Sequence, residues 1–250
     1  MAKLAFTITL RYNSLMRPQN KVNITWSPSF AYALGLITTD GSLSKDGRHI
    51  SLTSKDKEQI NNFKSCLGLS NKIGKKASGI STEKKYYILQ FGDVNFYKFL
   101  VSIGLKPNKS KTLSDLKVPS RYFFDFLRGH FDGDGSCYSY WDKRWHSSFM
   151  FYLIFASASL KHIEWLRSKI EKVLSIRGHL NNSGFNKFGS SVFQLKYAKR
   201  EARILMKKMY YRNEMPCLVR KRNKLNKIIK IDNIENNKFA RVEKLVNSPA

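Results

Sequence analysis

Residues 33–41 read Ala-Leu-Gly-Leu-Ile-Thr-Thr-Asp-Gly, and residues 127–135 read Leu-Arg-Gly-His-Phe-Asp-Gly-Asp-Gly. Each stretch sets a Gly five residues before an Asp and follows that Asp with Gly-Ser; Gly35 and Gly129, like Asp40 and Asp134, are offset by 94. A single Asp-Gly is ordinarily a turn that ends a helix. Two, each closing an apolar helix with an interior glycine, ask for more. Ser27 is a good N-cap and Pro28 suits the first helical position. The run from Phe30 to Ile37 is almost wholly apolar, so this helix is expected to be buried on most sides. Glycine inside a helix costs about 1 kcal/mol against Ala. Gly35, and Gly129 with Gly133 one turn further, are explained if they let two helix backbones approach closely. Packed in this way, the helices bring Asp40 and Asp134 side by side at their ends.

Outward from these helices the chain repeats itself once. The strand-like run His49–Thr53 answers to Phe149–Ala156. The helical pattern of Ile60, Phe63 and Leu67 answers to that of Ile163, Leu166 and Ile170, at an offset of 103. The strand Lys85–Phe91 answers to Val192–Tyr197, with Leu89 and Leu195 offset by 106, and the exits Lys106-Pro107 and Met215-Pro216 are offset by 109. The growing offset suits one duplicated unit with longer loops in its second copy, the main addition falling in Tyr138–Ser148. Each unit reads helix, two strands, helix, two strands, helix, with final helices near Asn95–Ile103 and Arg200–Tyr210. The expected fold class is α+β with two pseudo-symmetric αββαββα halves. Residues 1–26 form an N-terminal arm or edge strand, 27–113 the first half, 114–226 the second and 227–250 a C-terminal tail that suits a helix.

The partner is signalled by charge. The 250 residues carry 45 Lys+Arg against 18 Asp+Glu, a net charge of +27. Such a chain calls for a polyanion, nucleic acid before an anionic membrane. No run approaches the roughly 18 apolar residues of a spanning helix, and the N-terminus lacks a convincing signal peptide; its basic, acid-free character leaves a transit-peptide reading open. Cys66, Cys137 and Cys217 have no metal-site or disulfide-framework spacing and read as free thiols. Two adjacent carboxylates repel unless cations bridge them. Hard divalent cations such as Mg²⁺ take carboxylate and phosphate oxygens. They can activate a water and stabilise the leaving oxygen of a phosphodiester.

The two quoted stretches resemble the paired motifs of monomeric LAGLIDADG homing endonucleases, and the resemblance spans roughly Ser27 to Lys224. It implies motif helices at the interface of two halves and antiparallel sheets forming a saddle over the DNA major groove. It also implies site-specific, Mg²⁺-dependent cutting of both strands of a long asymmetric target by an intron-encoded monomer, with Asp40 and Asp134 as the metal ligands. No role is assigned to the backbone at Thr39. Asp132 matches an earlier motif acid that is not a required ligand, with Thr38 in its place in the first copy. His130 reads as a packing or hydrogen-bonding residue. The family often sets a basic residue near the metals at the end of a half's last strand. Lys199 fits that spacing best and Lys196 next, with Gln90 and Asp93 at those places in the first half.

Strand alternation and the hydrogen-bonding code of the major groove single out candidate DNA-reading residues. In the first half these are Ser42, Ser44, Arg48, Lys72, Lys75, Lys85 and Gln90. In the second they are Tyr138, Tyr140, Arg144, His146, Arg177, His179, Asn181, Asn186, Gln194 and Lys196. Lys109, Lys111, Lys221 and Lys224 read as phosphate contacts. The alternative is a group I intron maturase or a DNA-binding protein of the same fold that does not cut, with the host intron RNA as a partner. An unrelated RNA-binding fold would need clustered stacking aromatics on a sheet; Tyr138, Tyr140, Trp141 and Trp145 cluster, but in a segment expected to be a loop. Scattered histidines disfavour an HNH-type nuclease.

Overall fold

Ser27 opens the first helix as its N-cap, its Oγ accepting from the Phe30 N–H at 3.1 Å, with Pro28 in the first turn. This helix, α1 (Pro28–Asp40), is buried without interruption from Phe30 to Thr38. It packs on one side against its own sheet and on the other against its counterpart α4 (Phe123–Asp134). The computed structural model describes residues 20–77, 82–145, 148–185, 189 and 191–246, with side chains described as far as residue 237.

After α1 come β1 (Gly41–Leu43), β2 (His49–Ser54), α2 (Lys57–Cys66), β3 (Gly74–Lys76), β4 (Tyr86–Gly92) and α3 (Val94–Ser102). After α4 the order repeats as β5 (Ser136–Trp141), β6 (Phe149–Ser157), α5 (Leu160–Leu174), β7 (His179–Phe185), β8 (Ser191–Ala198) and α6 (Lys199–Met209). A last helix, α7 (Val219–Val246), runs unbroken across residue 226. The sheets are antiparallel and share one topology, β1-β2-β4-β3 and β5-β6-β8-β7. This is the α+β class with two αββαββα units expected from the duplication.

The registers superpose as well. Ser42, Ser51 and Gln90 form one cross-strand row, and Ser136, Ile154 and Lys196 form the equivalent row. Alternation along each strand sends Ile50, Leu52, Leu89 and Phe91 into the core of the first half, and Phe151, Leu153, Phe155, Leu195 and Tyr197 into that of the second. These faces are covered by the helices. The opposite faces carry the rows just named and are not covered by helices, although Ile154 is itself buried among its neighbours.

Local caps explain several polar residues. Asp56 caps α2 through the Glu58 N–H at 3.1 Å. Asp93 caps α3 through the Phe96 N–H at 2.9 Å, while its second oxygen accepts from the Lys21 and Val22 amides at 2.7 and 3.0 Å. Asp93 thereby ties the entering chain to the first half. Arg128, fully buried in α4, donates to Asp125 Oδ1 (2.9 Å), Met209 O (2.8 Å) and Pro216 O (3.0 Å), anchoring the segment between α6 and α7. Asp132 accepts from the Tyr32 hydroxyl at 2.8 Å and the Leu218 amide at 2.7 Å, joining both motif helices to that segment.

One expectation is corrected. Tyr138, Tyr140 and Trp141 are strand residues of β5, not loop residues. The aromatic density that suggested an irregular insertion is what a β-strand favours, and the extra length lies in the connection after Trp141. The N-terminal segment read as an arm or edge strand falls outside the described residues up to position 19. Among the described residues no helix is long and apolar enough to cross a membrane. Cys66, Cys137 and Cys217 are free thiols.

Candidate active site

The glycines set the geometry. A Cβ on Gly35 would stand 2.2 Å from the Phe126 carbonyl oxygen, and one on Gly129 would stand 2.0 Å from that of Tyr32. Both obstacles are backbone, which no rotamer change removes. A Cβ on Gly133 would meet Thr39 Oγ1 at 1.9 Å and Asp40 Oδ2 at 3.0 Å. The C-terminal turn of α4 therefore lies directly against Asp40, and Asp134 follows Gly133 at the same end of the pair.

Asp134 feels the charge of Asp40. Asp134 is pushed up to about 6, first by desolvation on the crowded floor between the halves and second by the charge of Asp40. Asp134 stays open to solvent, so desolvation acts less strongly than full burial would, and the charge of Asp40 carries correspondingly more weight. Asp40 is also raised, chiefly by desolvation, against the lowering effects of Gln59 and two lysines. Gln59 Nε2 donates to Asp40 Oδ2 at 2.5 Å and belongs to the first turn of α2. Among the described residues Asp134 has no hydrogen-bond donor of this kind. A cleft of about 300 Å³ borders Asp134, lined by Thr38, Thr39, Ser110, Leu113 and Ser157 among others. Larger clefts, such as one of about 510 Å³ between α6 and α7, share no residue with it, so size does not mark the site.

Two buried lysines complete the floor. Lys109 donates to the Gly41 carbonyl. Lys221 Nζ shares its three N–H groups among the carbonyls of Phe131 (2.6 Å), Asp132 (2.8 Å), Gly133 (3.1 Å) and Gly135 (2.7 Å). Gly41 and Gly135 are equivalent, so the lysines are equivalent too, at an offset of 112. Each sits at the C-terminal end of a motif helix, where the helix dipole favours a cation. Burial lowers both to about 8, while Asp40 and Asp134 pull them back up. Both are therefore cations at neutral pH, held beside two carboxylates.

This places the basic partners elsewhere than expected. Lys199 is turned away: its Nζ lies 2.7 Å from the buried carboxylate of Asp232 on α7 and donates to the Phe149 carbonyl at 3.2 Å. With Arg203 on the same carboxylate, Lys199 locks α6 to α7. Lys196 and Gln90 instead occupy equivalent positions on the solvent faces, two strands from the residues that follow the aspartates. Lys109 and Lys221 are not surface phosphate contacts but buried donors. Gln59 was not singled out at all. One further step in the growing offset, beyond the Lys106-Pro107 and Met215-Pro216 exits, would have paired the two lysines. For Gln59 the available signal was its match to His162 at the offset of 103.

His162 does not play the part of Gln59. Its Nε2 lies 3.1 Å from His130 Nε2 and its Nδ1 is 3.0 Å from the Ser114 carbonyl. Burial holds His130 well below the ordinary range and takes His162 down to about 4, so both are neutral at physiological pH.

The candidate DNA-reading residues divide. Ser42, Gln90, Tyr138, Tyr140, His179, Asn181, Gln194 and Lys196 lie on strands, and all share the solvent face of their sheet. Arg48 lies over Gly92 at the rim of that face. Lys75 has the core parity of Tyr87 and lies over its ring, 5.3 Å from the centroid. Lys72, Lys85, Ser44 and Arg177 lie outside the strands, with Lys85 ion-paired to Glu83 at 2.7 Å. Arg144 pairs with Asp142 at 3.2 Å in the connection after β5, Lys111 is exposed in the linker, and Lys224 donates to the Cys137 carbonyl at 2.5 Å. His146 and Asn186 lie outside the described residues.

Among curated proteins none matches the chain by sequence. Residues 27–104 match the LAGLIDADG-like domain family. Among solved structures, the chain is similar to the LAGLIDADG meganuclease I-AabMI bound to uncleaved DNA, with 13% identity over 85% of this chain and 92% of that one and a TM-score of 0.56. It is similar also to the I-LtrWI LAGLIDADG homing endonuclease bound to target DNA, with 13% identity over 84% and 91% and a TM-score of 0.53. The N-terminal LAGLIDADG domain of DUF199/WhiA aligns with 14% identity over 86% and 98%, at a TM-score of 0.49. The chain thus contains a LAGLIDADG-like domain at residues 27–104, and its two antiparallel four-stranded sheets have the fold of the LAGLIDADG homing endonucleases.

Proposed function

We propose that the chain is a site-specific endonuclease that hydrolyses both strands of a long, asymmetric duplex DNA target as a monomer, using divalent metal held by Asp40 and Asp134. The observation that carries this reading is the convergence of two carboxylates and two buried lysines at the ends of a glycine-packed helix pair. The donor set fits a hard divalent cation. Asp134 is raised in part by the charge of Asp40, a repulsion that is relieved when a cation sits between two carboxylates, and the neighbouring donors are oxygens. Bound there, Mg²⁺ would supply an activated water and charge neutralisation at the scissile phosphate.

The chain's own residues do the rest. Gln59 orients Asp40 by its hydrogen bond. Lys109 and Lys221 fix the carbonyls that end the motif helices, and so the backbone from which the aspartates project. Their charges also favour a phosphate beside the aspartates. The solvent faces of the two sheets carry Gln90 and Lys196 toward the groove, where polar side chains distinguish base pairs. Lysines elsewhere on this +27 chain supply sequence-independent, salt-sensitive affinity.

Selection of cleavable sequences from a randomised duplex library in Mg²⁺ tests this. Recovery of one long site, cut on both strands, is the expected result. A site bound tightly but never cut would leave a DNA-binding protein or maturase of this fold.

A further inference from the structure

The solvent face of the second sheet is not an ordinary polar one. Tyr138 and Tyr140 on β5 and Tyr152 on β6 form a ladder. The Tyr138 and Tyr152 rings are 5.1 Å apart and 21° from parallel, and the Tyr140 and Tyr152 rings 6.3 Å apart and 8° from parallel. Tyr138 and Tyr140 are 39% and 43% exposed. Met150 and Ile154 extend the same face along β6. The first sheet has Ser42, His49, Ser51 and Thr53 on its corresponding face, with His49 at the position equivalent to Tyr152 and Ser44 at that equivalent to Tyr138.

We infer that the tyrosine ladder reads thymine 5-methyl groups, so that the half of the target under the second sheet is rich in thymine. This rests on the endonuclease reading above. The ladder begins four residues after Asp134 on the strand that leaves it, so it is continuous with the site where the duplex is cut. Lys196 borders it on the same face, which suits a polyanion and repels a second copy of this basic chain. The three rings pack against one another, and the Tyr140 and Tyr152 side chains are hydrogen-bonded. Together they present an apolar, ridged surface for a methyl group, and in the major groove thymine alone presents one.

The test uses the full-length protein and its selected duplex in Ca²⁺, with each thymine replaced singly by deoxyuridine. Loss of a contacted methyl should weaken binding about fourfold, the equivalent of roughly 0.8 kcal/mol for one buried methyl-sized group. The sensitive positions should cluster in one half of the site. Tyr138→Ser and Tyr140→Ser should erase that sensitivity while the protein stays folded at the assay temperature, checked by its melting curve, whereas Tyr138→Phe, which keeps the ring, should retain it. A duplex bound tightly with no uracil effect in either half, or an effect that survives both serine variants, would overturn the inference and leave the endonuclease reading standing. Failure to bind any duplex would overturn both. Preference for single-stranded nucleic acid, lost in Tyr138→Ser, would replace methyl reading by base stacking.

Discussion

In the first half, Gln59 reaches from the first turn of α2 to the carboxylate of Asp40; in the second, His162 stands at the same turn of α5 and pairs with His130 instead. On the face away from the helices the first sheet carries Ser42, His49, Ser51, Thr53 and Gln90, and the second carries a tyrosine ladder. Lys109 holds one carbonyl and Lys221 four. Duplication preserved what the fold needs, namely the glycine contacts, the strand registers and a lysine at each helix end. It released what contacts each acid and what each sheet turns to solvent. On the proposed endonuclease reading, such divergence would let a symmetric scaffold recognise an asymmetric sequence.

The comparison can be broken most sharply at the acids. Asp40→Asn and Asp134→Asn should each reduce cutting about a thousandfold, the order expected when metal-borne stabilisation of several kcal/mol is removed. Binding to the selected duplex in Ca²⁺ should persist in both. One variant that still nicks a single strand would mean that the halves act independently. Next in size, Gly35→Ala and Gly129→Ala should each destabilise by about 3 kcal/mol or more in denaturant unfolding, because the added methyl collides with backbone that cannot step aside. Equal losses would confirm a symmetric contact between the helices.

The lysines sharpen the contrast further. Lys221→Met removes a donor shared among four carbonyls, of which that of Phe131 keeps the Gly135 N–H, and Lys109→Met removes the donor of one. At about 1–3 kcal/mol for an unsatisfied buried group, Lys221→Met should cost clearly more stability than Lys109→Met. The two ammonium groups lose their protons near pH 8, so cutting that depends on their charge should decline above that pH. Metal affinity should rise as pH climbs through about 6, where Asp134 gives up its proton, and level off beyond.

Stability carries the opposite sign. The Asp134 pKa is higher in the folded chain than in the unfolded chain, so its ionisation destabilises the fold progressively between about pH 4 and pH 6. Asp134→Asn should therefore melt higher than the parent at pH 7, with the difference gone below about pH 4, while cutting is lost. The smallest effect is expected for Gln59→Leu. Removing the donor that lowers the Asp40 pKa should move the pH dependence of metal binding upward and reduce cutting less than about tenfold.

The fold was legible because its signal is repeated. Gly35, Gly129 and Gly133 have no other economical explanation inside apolar helices, and the matched runs after each motif gave the element order of both halves. The final helices were placed one residue late at each start, at Asn95 and Arg200 rather than Val94 and Lys199, within the ordinary uncertainty of helix ends. The site was legible only in part. Asp40 and Asp134 stand out by position in the motif. Lys109, Lys221 and Gln59 do not, because lysine is abundant in this chain and burial, not identity, distinguishes these two. Lys199 was misread because spacing along one strand does not reveal Asp232, which arrives from a helix some thirty residues on. The family match to residues 27–104 alone accords with this. The second motif helix carries Arg128, His130 and Asp132, each committed to a buried contact of its own.

The most direct measurement is strand-resolved cleavage of the selected duplex in Mg²⁺ by the parent chain and by Asp40→Asn and Asp134→Asn. Two cuts by the parent are expected, with loss of cutting and retained binding in both variants. Cutting by either variant at the parent's rate, or a parent that binds the site and leaves both strands intact in Mg²⁺ and Mn²⁺, would contradict the proposed function.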